Sequence, residues 1–209
     1  MSLKAIKEAV IEGEEELVAE LVKKELQTGA DPREILDRGL VAGMDVVGLQ
    51  FKDGDMFVPE VLMSANAMAA GNDLVKPLLV GEKAKSRGKV VIGTVKGDLH
   101  DIGKKIVAMM LEGAGYEVVD LGIDVTPERF LGALEETQAD TVGMSAMLTT
   151  TMTVMKEVTE AIQKNDRYKD VNIMIGGAPV TETYGEEIGA RYSCDAASAV
   201  ALANELMEV

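Results

Sequence analysis

Two residue types that build covalent or metal cross-links are almost absent from this sequence of 209 residues, which has one cysteine, Cys194, and one histidine, His100. An intrachain disulfide needs two cysteines, and a structural zinc site needs about four Cys or His ligands. A single chain can therefore form neither. Tryptophan is also absent and aromatic residues make up only 3%, whereas there are 13 methionines. Any core or pocket must be mainly aliphatic and adaptable.

Positive charge is also scarce, since 21 Lys and Arg residues face 36 Asp and Glu residues, for a net charge of −15. This charge repels phosphate backbones and anionic lipid, so we expect no nucleic-acid partner and no membrane partner. No stretch approaches the roughly 20 apolar residues of a membrane span. The first segment, MSLKAIKEAVIEGEEELV, carries Glu where a signal peptide needs an apolar run. We therefore expect a cytoplasmic protein.

The first part of the chain has the apolar spacing of amphipathic helices, with Glu and Lys between the apolar positions. The pattern predicts helices near 3–11, 14–27, 31–52 and 58–82. Their short connections favour antiparallel neighbours. We therefore predict a four-helix bundle as an N-terminal cap domain over residues 1–86, and an exposed, charged linker over residues 82–88.

The second part, residues 87–209, alternates strands with helices. A continuous β-branched run at 89–95 is typical of a strand buried on both faces. Further strands are predicted at 117–121, 141–146 and 171–175, and helices near 101–114, from 126, at 149–165, at 181–190 and from about 196. Such alternation indicates a parallel sheet. We predict a flavodoxin-like domain with five strands in the order 2-1-3-4-5 and helices on both faces, hence an α + α/β protein.

Ligands of open parallel sheets bind outside the carboxyl ends of the strands where the strand order reverses, here between strands one and three. The loops at that edge are residues 96–103, 145–151 and 176–179. They are rich in small or hydroxylated residues, which let a bulky ligand approach the backbone. The loop at 122–125, after strand two, is predicted to be only connective.

The first of these loops holds Asp98 and His100. A carboxylate two residues from a histidine can bind one ring nitrogen and leave the other free as a metal ligand. One protein ligand is too few for zinc, but it is sufficient for a metal held in a macrocycle that needs only an axial partner. Alternatively, His100 is a surface or capping residue, and Asp98 and Asp101 cap the following helix.

The sequence resembles the cobalamin-binding domains through three motifs in order, which are Asp98-x-His100-x-x-Gly103, Ser145-x-Met147 and Gly176-Gly177. They resemble the DxHxxG, SxL and GG signature of that family. A helical bundle precedes the domain, as in methionine synthase, so the resemblance covers almost the entire chain. The sequence looks most like the small corrinoid proteins of methylamine, betaine and methanol methyltransferase systems. Three motifs on one predicted βαβ frame are a specific signal.

The resemblance implies that cobalamin binds with its nucleotide tail released from cobalt and inserted into the α/β domain. His100 would then be the axial ligand of the metal, and Asp98 would hold its other ring nitrogen. Thr151 stands where the family has a serine that completes a proton relay. The implied catalytic group is therefore Asp98, His100 and Thr151, with His100 as the metal ligand.

The resemblance also implies a wider set of residues in contact with the cofactor. The α/β domain would supply Gly97, Asp98, Leu99, His100, Asp101, Ile102, Gly103, Ser145, Met147, Thr149, Gly176, Gly177 and Ala196. Met147 replaces the usual Leu at similar volume. The bundle would cover the methyl group with Phe51 and Val58.

Simpler roles stay open for several of these positions and their neighbours. Ser145 and residues 149–151 also suit an N-cap cluster, the glycine pair suits a plain turn, and Phe51 and Val58 suit the bundle core. Cys194 is interpreted as a small residue near the last helix.

The implied function is that of a corrinoid methyl carrier. Base-off, His-on cobalamin would accept a methyl group on Co(I) from a methylated substrate, a methylamine or betaine first, through a substrate:corrinoid methyltransferase. A second methyltransferase would pass it from methyl-Co(III) to tetrahydrofolate or a thiol, and a reductive activator would restore Co(I). The bundle would move aside for these partners about a hinge near residue 85. Whether the chain is itself an enzyme stays open.

Three other functions are compatible with the same frame. A cobalamin-dependent sensor or regulatory module is the main alternative, but the sequence has no basic patch or output segment. The cofactor subunit of a carbon-skeleton mutase would not need a cap shaped for a methyl ligand. A nucleotide-binding flavodoxin-like module would need a phosphate loop, which the sequence lacks.

Overall fold

The computed structural model describes residues 3–79 and 86–207. The chain divides into two compact units, one formed by the chain up to Ser86 together with Glu112–Gly115, and the other by Arg87–Leu111 and the chain from Tyr116 onward. Most of the predicted linker, the expected hinge near residue 85 and the end of the predicted fourth helix lie outside the described residues.

The first unit is helical, as the apolar spacing predicts. Its segments are α1 (Leu3–Ile11), α2 (Glu15–Gln27), α3 (Pro32–Glu34), a π-helix (Ile35–Val41), α4 (Ala42–Asp53), α5 (Val58–Val75) and a 3-10 turn (Lys76–Leu78). Fully buried aliphatic side chains from four of these segments, Ile6, Val18, Ile35 and Val47, form its core. The Asp31 carboxylate accepts the Arg33 N–H at 3.0 Å and Pro32 follows it, which explains where α3 begins.

Two helix predictions in this unit were wrong in detail. The helix predicted at 31–52 contains the seven-residue π-helix Ile35–Val41, in which hydrogen bonds span one residue more than in an α-helix. The helix predicted at 58–82 leaves the α conformation after Val75. Pro77 has no N–H to continue the hydrogen-bond ladder there.

The second unit is a five-stranded parallel sheet with helices between its strands. The strands are β1 (Lys89–Thr94), β2 (Glu117–Asp120), β3 (Thr141–Ser145), β4 (Asn172–Gly176) and β5 (Arg191–Tyr192), and the helices are α6 (Ile102–Gly113), α7 (Pro127–Thr137), α8 (Met152–Gln163), α9 (Glu182–Ile188) and α10 (Ala196–Leu206). The strand order is β2-β1-β3-β4-β5, so the predicted fold is confirmed. Successive residues of β1 and β3 are buried, which requires cover on both faces of the sheet.

The core of the sheet unit joins the strands to the helices α7 and α8. Val91 of β1 and Val142 of β3 are fully buried together with Phe130, Leu134 and Ile162. None of the described helices combines the length and the apolarity needed to cross a membrane.

The parallel register brings three strand ends to one edge. Thr94 pairs with Ser145, and Ser145 pairs with Gly176. The loops after β1, β3 and β4 therefore leave the sheet side by side, at the point where β1 separates β2 from β3.

Candidate cofactor site

The chain leaves β1 in a tight turn that sets the direction of the next residues. The Asp98 N–H donates to the Val95 carbonyl at 3.1 Å, and Gly97 occupies the third position with φ +82°. A positive φ at this position is the reason for a glycine in such turns. The turn buries the Asp98 side chain and leaves His100 exposed. The buried Thr94 hydroxyl donates to the His100 carbonyl at 2.9 Å, which fixes the backbone of the exposed residue.

The Asp98 carboxylate joins the loop after β1 to the loop after β3. Its Oδ1 accepts the His100 N–H at 3.1 Å and lies 2.8 Å from His100 Nδ1. Its Oδ2 accepts the N–H groups of Met147 at 2.7 Å and Leu148 at 3.2 Å, and the Thr151 hydroxyl at 2.8 Å. Both oxygens of a fully buried carboxylate are thus hydrogen-bonded.

These contacts determine which nitrogen of the neutral His100 ring carries the hydrogen. Burial alone raises the pKa of Asp98, but the hydrogen bonds from the Met147 N–H, from His100 and from Thr151 outweigh it and hold the pKa well below its usual range. An ionised carboxylate only accepts hydrogen bonds, so His100 Nδ1 carries the hydrogen. The lone pair of Nε2 is then available on a ring whose side chain is 57% exposed.

The surroundings of His100 form an apolar, exposed edge. Among the described residues of the sheet unit, the large apolar side chains that are exposed all lie in the loops after β1, β2 and β3 or at the start of α6; they are Leu99, Ile102, Ile123, Met147 and Leu148. A concentration of exposed apolar residues marks a binding surface. Among residues 3–79 and 86–207, no three or more His, Cys, Asp or Glu side chains form a group that could hold a metal ion. The single imidazole suits a metal that another molecule already holds in its plane.

The glycine pair of the loop after β4 provides close backbone packing. Gly177 has φ +127°, and a Cβ atom there would lie 1.9 Å from the Ala146 carbonyl oxygen. A Cβ on Gly176 would lie 3.1 Å from the Ser193 carbonyl oxygen. The interpretation of the pair as a plain turn is therefore incomplete, because it also packs against the loop after β3. At Gly103, by contrast, no atom lies within 4 Å of the Cβ position, so the first turn of α6 stays open to a ligand.

The structure brings most of the predicted residues of the sheet unit to this one edge. Residues 97–103 follow β1, Ser145 ends β3, Met147 and Thr149 are exposed after it, and Gly176 ends β4 with Gly177 next to it. Ala196 is buried at the start of α10, beyond β5. Phe51 and Val58 are half-buried in the helical unit.

The capping alternatives fail for two of these residues. The Asp98 carboxylate accepts hydrogen bonds from His100 and from the loop after β3, not from the first N–H groups of α6. Thr151 directly precedes α8, but its hydroxyl contacts Asp98 and the Leu148 carbonyl, and makes no cap to the helix. The helix predicted at 149–165 therefore begins only at Met152. Asp101 pairs instead with Lys105 of α6 at 2.5 Å.

The loop after β2 was wrongly predicted to be only connective. Asp124 in this loop accepts the Gly97 N–H at 2.7 Å and donates its own N–H to the Asp98 carbonyl at 3.1 Å. No pattern in the sequence marked Asp124, which lies beyond the end of β2, because its contacts depend on a left-handed backbone conformation. Cys194 is exposed near the start of α10, 3.5 Å from the Ser198 hydroxyl.

Comparison with known proteins shows which family the chain belongs to. Residues 88–203 match the B12 binding domain family, and residues 2–76 match a second model with the same description. A corrinoid protein of Desulfitobacterium hafniense is 41% identical over 209 residues, which cover 98% of this chain and 97% of that protein. The chain belongs to the corrinoid protein family. Its cofactor is cobalamin, as the motif resemblance implies.

Two further proteins that are similar to this chain are informative. Dimethylamine corrinoid protein 1 of Methanosarcina acetivorans is 45% identical over 179 residues, covering 85% of this chain and 84% of that protein. The solved methanol:cobalamin methyltransferase complex from Methanosarcina barkeri matches with a TM-score of 0.88 at 35% identity, over 99% of this chain and 79% of that one. The residues at the carboxyl edge fit such a cofactor, since they offer one imidazole lone pair, an open first turn of α6 and an apolar surface.

Proposed function

We propose that this corrinoid protein carries methyl groups between two methyltransferases and holds cobalamin base-off, with His100 as the axial ligand. The observation that carries the proposal is the exposed His100 ring, whose Nδ1 lies 2.8 Å from the buried Asp98 carboxylate. When bound, the corrinoid supplies the cobalt atom that takes up and releases the methyl group. Every other contribution comes from side chains and backbone that the chain itself provides.

The three central residues would divide the work between them. His100 Nε2 would donate its lone pair to the metal and would take a proton whenever it leaves the metal. Asp98 would stabilise the resulting imidazolium through Nδ1. The Thr151 hydroxyl, 2.8 Å from Asp98 Oδ2, would keep the second oxygen saturated in both states.

The remaining predicted contacts are part of the same proposal. The nucleotide tail would lie beside the loops after β3 and β4, near Ser145, Met147 and the glycine pair. Gly97, Leu99, Ile102 and Thr149 would line the entrance, and Ala196 would lie deeper. For Phe51 and Val58, the support is the family resemblance and the match of residues 2–76 to a B12-binding model.

The partners follow from the relatives. The dimethylamine and trimethylamine corrinoid proteins of Methanosarcina acetivorans are 45% and 43% identical to this chain. We therefore propose a methylated amine as the methyl donor, delivered by a substrate:corrinoid methyltransferase. A tetrahydrofolate- or thiol-specific methyltransferase would take the methyl group, and a reductive activator would repair oxidised cofactor. All of this would occur in the cytoplasm.

The axial ligand can be tested directly because the chain has one histidine. Protein labelled with 15N-histidine is loaded with cob(II)alamin, and the nitrogen splitting in its EPR spectrum is compared with that of unlabelled protein. We expect the splitting to change from a triplet to a doublet on labelling. His100→Ala should lose this splitting while its free energy of unfolding stays within about 0.5 kcal/mol of wild type, because the ring is exposed.

Two results would contradict the proposal at different levels. An unchanged triplet in labelled protein would mean that the nucleotide base stays on cobalt, so the His-on state would be wrong. Methylcobalamin-loaded protein should also lose its methyl group when a cognate methyltransferase and acceptor are added. Inertness with each candidate methyltransferase would favour the sensor function over the carrier.

A further inference from the structure

The loop after β2 makes two hydrogen bonds to the turn that carries Asp98. The Asp124 carboxylate accepts the Gly97 N–H at 2.7 Å, and the Asp124 N–H donates to the Asp98 carbonyl at 3.1 Å. One residue thus holds both ends of the Gly97-Asp98 dipeptide. Asp124 does so from a left-handed backbone conformation with φ +55°, which is uncommon for residues other than glycine, asparagine and aspartate.

This loop is itself firmly anchored to the sheet unit. The Lys104 side chain is fully buried and forms an ion pair with Asp120 at the end of β2. The second oxygen of Asp120 accepts the Gly122 N–H at 2.8 Å, and the Val125 N–H donates to the Thr94 carbonyl at 2.9 Å. The backbone around Asp124 is therefore held in place, and so are the two hydrogen bonds of Asp124 to the turn after β1.

We infer that Asp124 is a positioning residue that keeps His100 in the tautomer needed for axial ligation. Asp124 holds the Gly97 N–H before the Asp98 Cα atom and the Asp98 carbonyl after it, and the backbone between these two points sets the direction of the Asp98 side chain. If this backbone rotates, Asp98 Oδ1 moves away from His100 Nδ1, and nothing else among the described contacts holds that nitrogen. The inference rests on the proposed function only where it predicts an effect on cobalamin binding, since the tautomer of His100 exists in the apo protein as well.

The tautomer can be read in the apo protein, because one histidine gives one imidazole signal. Nitrogen NMR of 15N-histidine protein, recorded at alkaline pH, distinguishes the hydrogen on Nδ1 from the hydrogen on Nε2. The informative variants are Asp124→Gly, which keeps the left-handed backbone but has no acceptor, and Asp124→Asn, which keeps both. Gln138→Gly is the matched control, since Gln138 has φ +54° at the end of α7.

We expect wild type, Asp124→Asn and Gln138→Gly to hold the hydrogen on Nδ1, and Asp124→Gly to show averaged nitrogen shifts of a tautomer mixture. Asp124→Gly should also retain cobalamin about severalfold more weakly, in proportion to the fraction of rings that no longer hold the hydrogen on Nδ1. A wild-type tautomer in Asp124→Gly would overturn the inference, as would an equal shift in Gln138→Gly.

Failure of the proposed function would look different. Wild-type apo protein would still show the Nδ1 hydrogen and its loss in Asp124→Gly, but the loaded protein would lack the histidine-dependent EPR splitting. The positioning role of Asp124 would then stand while the role of His100 as axial ligand would fall. If Asp124→Gly does not fold, Asp124→Ala, which also removes the acceptor, takes its place: a tautomer mixture in the folded variant supports the inference, and a wild-type tautomer overturns it.

Discussion

The loops after β1 and β4 leave the same edge of the sheet but are built in opposite ways. The loop after β1 depends on one side chain, the buried Asp98 carboxylate, whose oxygens are all hydrogen-bonded. The loop after β4 depends on the lack of side chains at Gly176 and Gly177. A carboxylate fixes the position of one ligand atom, whereas a glycine pair lets backbones meet. The first loop should therefore fail when an acceptor is lost, and the second when volume is added.

The largest effect is expected from adding one methyl group to the loop after β4. In Gly177→Ala the new Cβ would lie 1.9 Å from the Ala146 carbonyl oxygen, at a φ of +127° that side chains rarely adopt. We expect the free energy of unfolding to fall by about 4 kcal/mol, from overpacking and backbone strain together. Urea unfolding of the apo protein measures this value.

The control for Gly177→Ala is Gly122→Ala, which also has a positive φ but has no atom within 4 Å of the Cβ position. Its cost should be about 1 kcal/mol, from the backbone alone. Equal losses in both variants would show that close packing at Gly177 is not what the loop requires.

A smaller effect is expected from removing the acceptor of the loop after β1. Asp98→Ala leaves the Met147 and Leu148 N–H groups and the Thr151 hydroxyl without their partner, and we expect a loss of about 3 kcal/mol in the free energy of unfolding. Asp98→Asn keeps one acceptor oxygen and should lose about 1 kcal/mol. Its amide would donate to His100 Nδ1 and reverse the tautomer, so Asp98→Asn should lose the histidine-dependent EPR splitting, whereas Asp98→Ala, which leaves Nδ1 without its partner, should weaken it. Retention of that splitting in Asp98→Asn would contradict the role of the carboxylate.

The smallest effect is expected at Thr151, whose buried side chain lies in the loop after β3 and donates its hydroxyl to Asp98. Thr151→Val keeps the shape but removes one of several hydrogen bonds to Asp98, and we expect a loss of about 1 kcal/mol in unfolding free energy. Thr151→Ser keeps the hydroxyl and should preserve both stability and cofactor spectrum. If Thr151→Ser behaved like Thr151→Val, the γ-methyl group rather than the hydroxyl would be the important part.

Residue pattern alone predicted the sheet order and the edge that holds the site, because buried β-branched runs and intervening helices leave few topologies. The Asp98–His100 contact was also predictable, since it is local and depends on a spacing of two residues. The two-residue strand β5 was not located, because it is too short to show a period. The π-helix was missed because apolar spacing does not separate it from an α-helix.

The contribution of Asp124 was not predictable from the sequence for a different reason. Its two contacts join loops that are 26 to 27 residues apart in the chain, and they depend on a left-handed backbone that residue type alone does not specify. Long-range hydrogen bonds of this kind emerge only from the register of β1 and β2.

The open sides of the sheet have a consequence for handling the protein without cofactor. One side is the four-residue β2, which begins and ends with the exposed acids Glu117 and Asp120, and the other is the two-residue β5, where Arg191 pairs with Glu205. Short edge strands with charged residues are poor templates for pairing with further strands. Concentrated apoprotein should therefore not form fibrous aggregates, even though the apolar loops of its cofactor site are exposed.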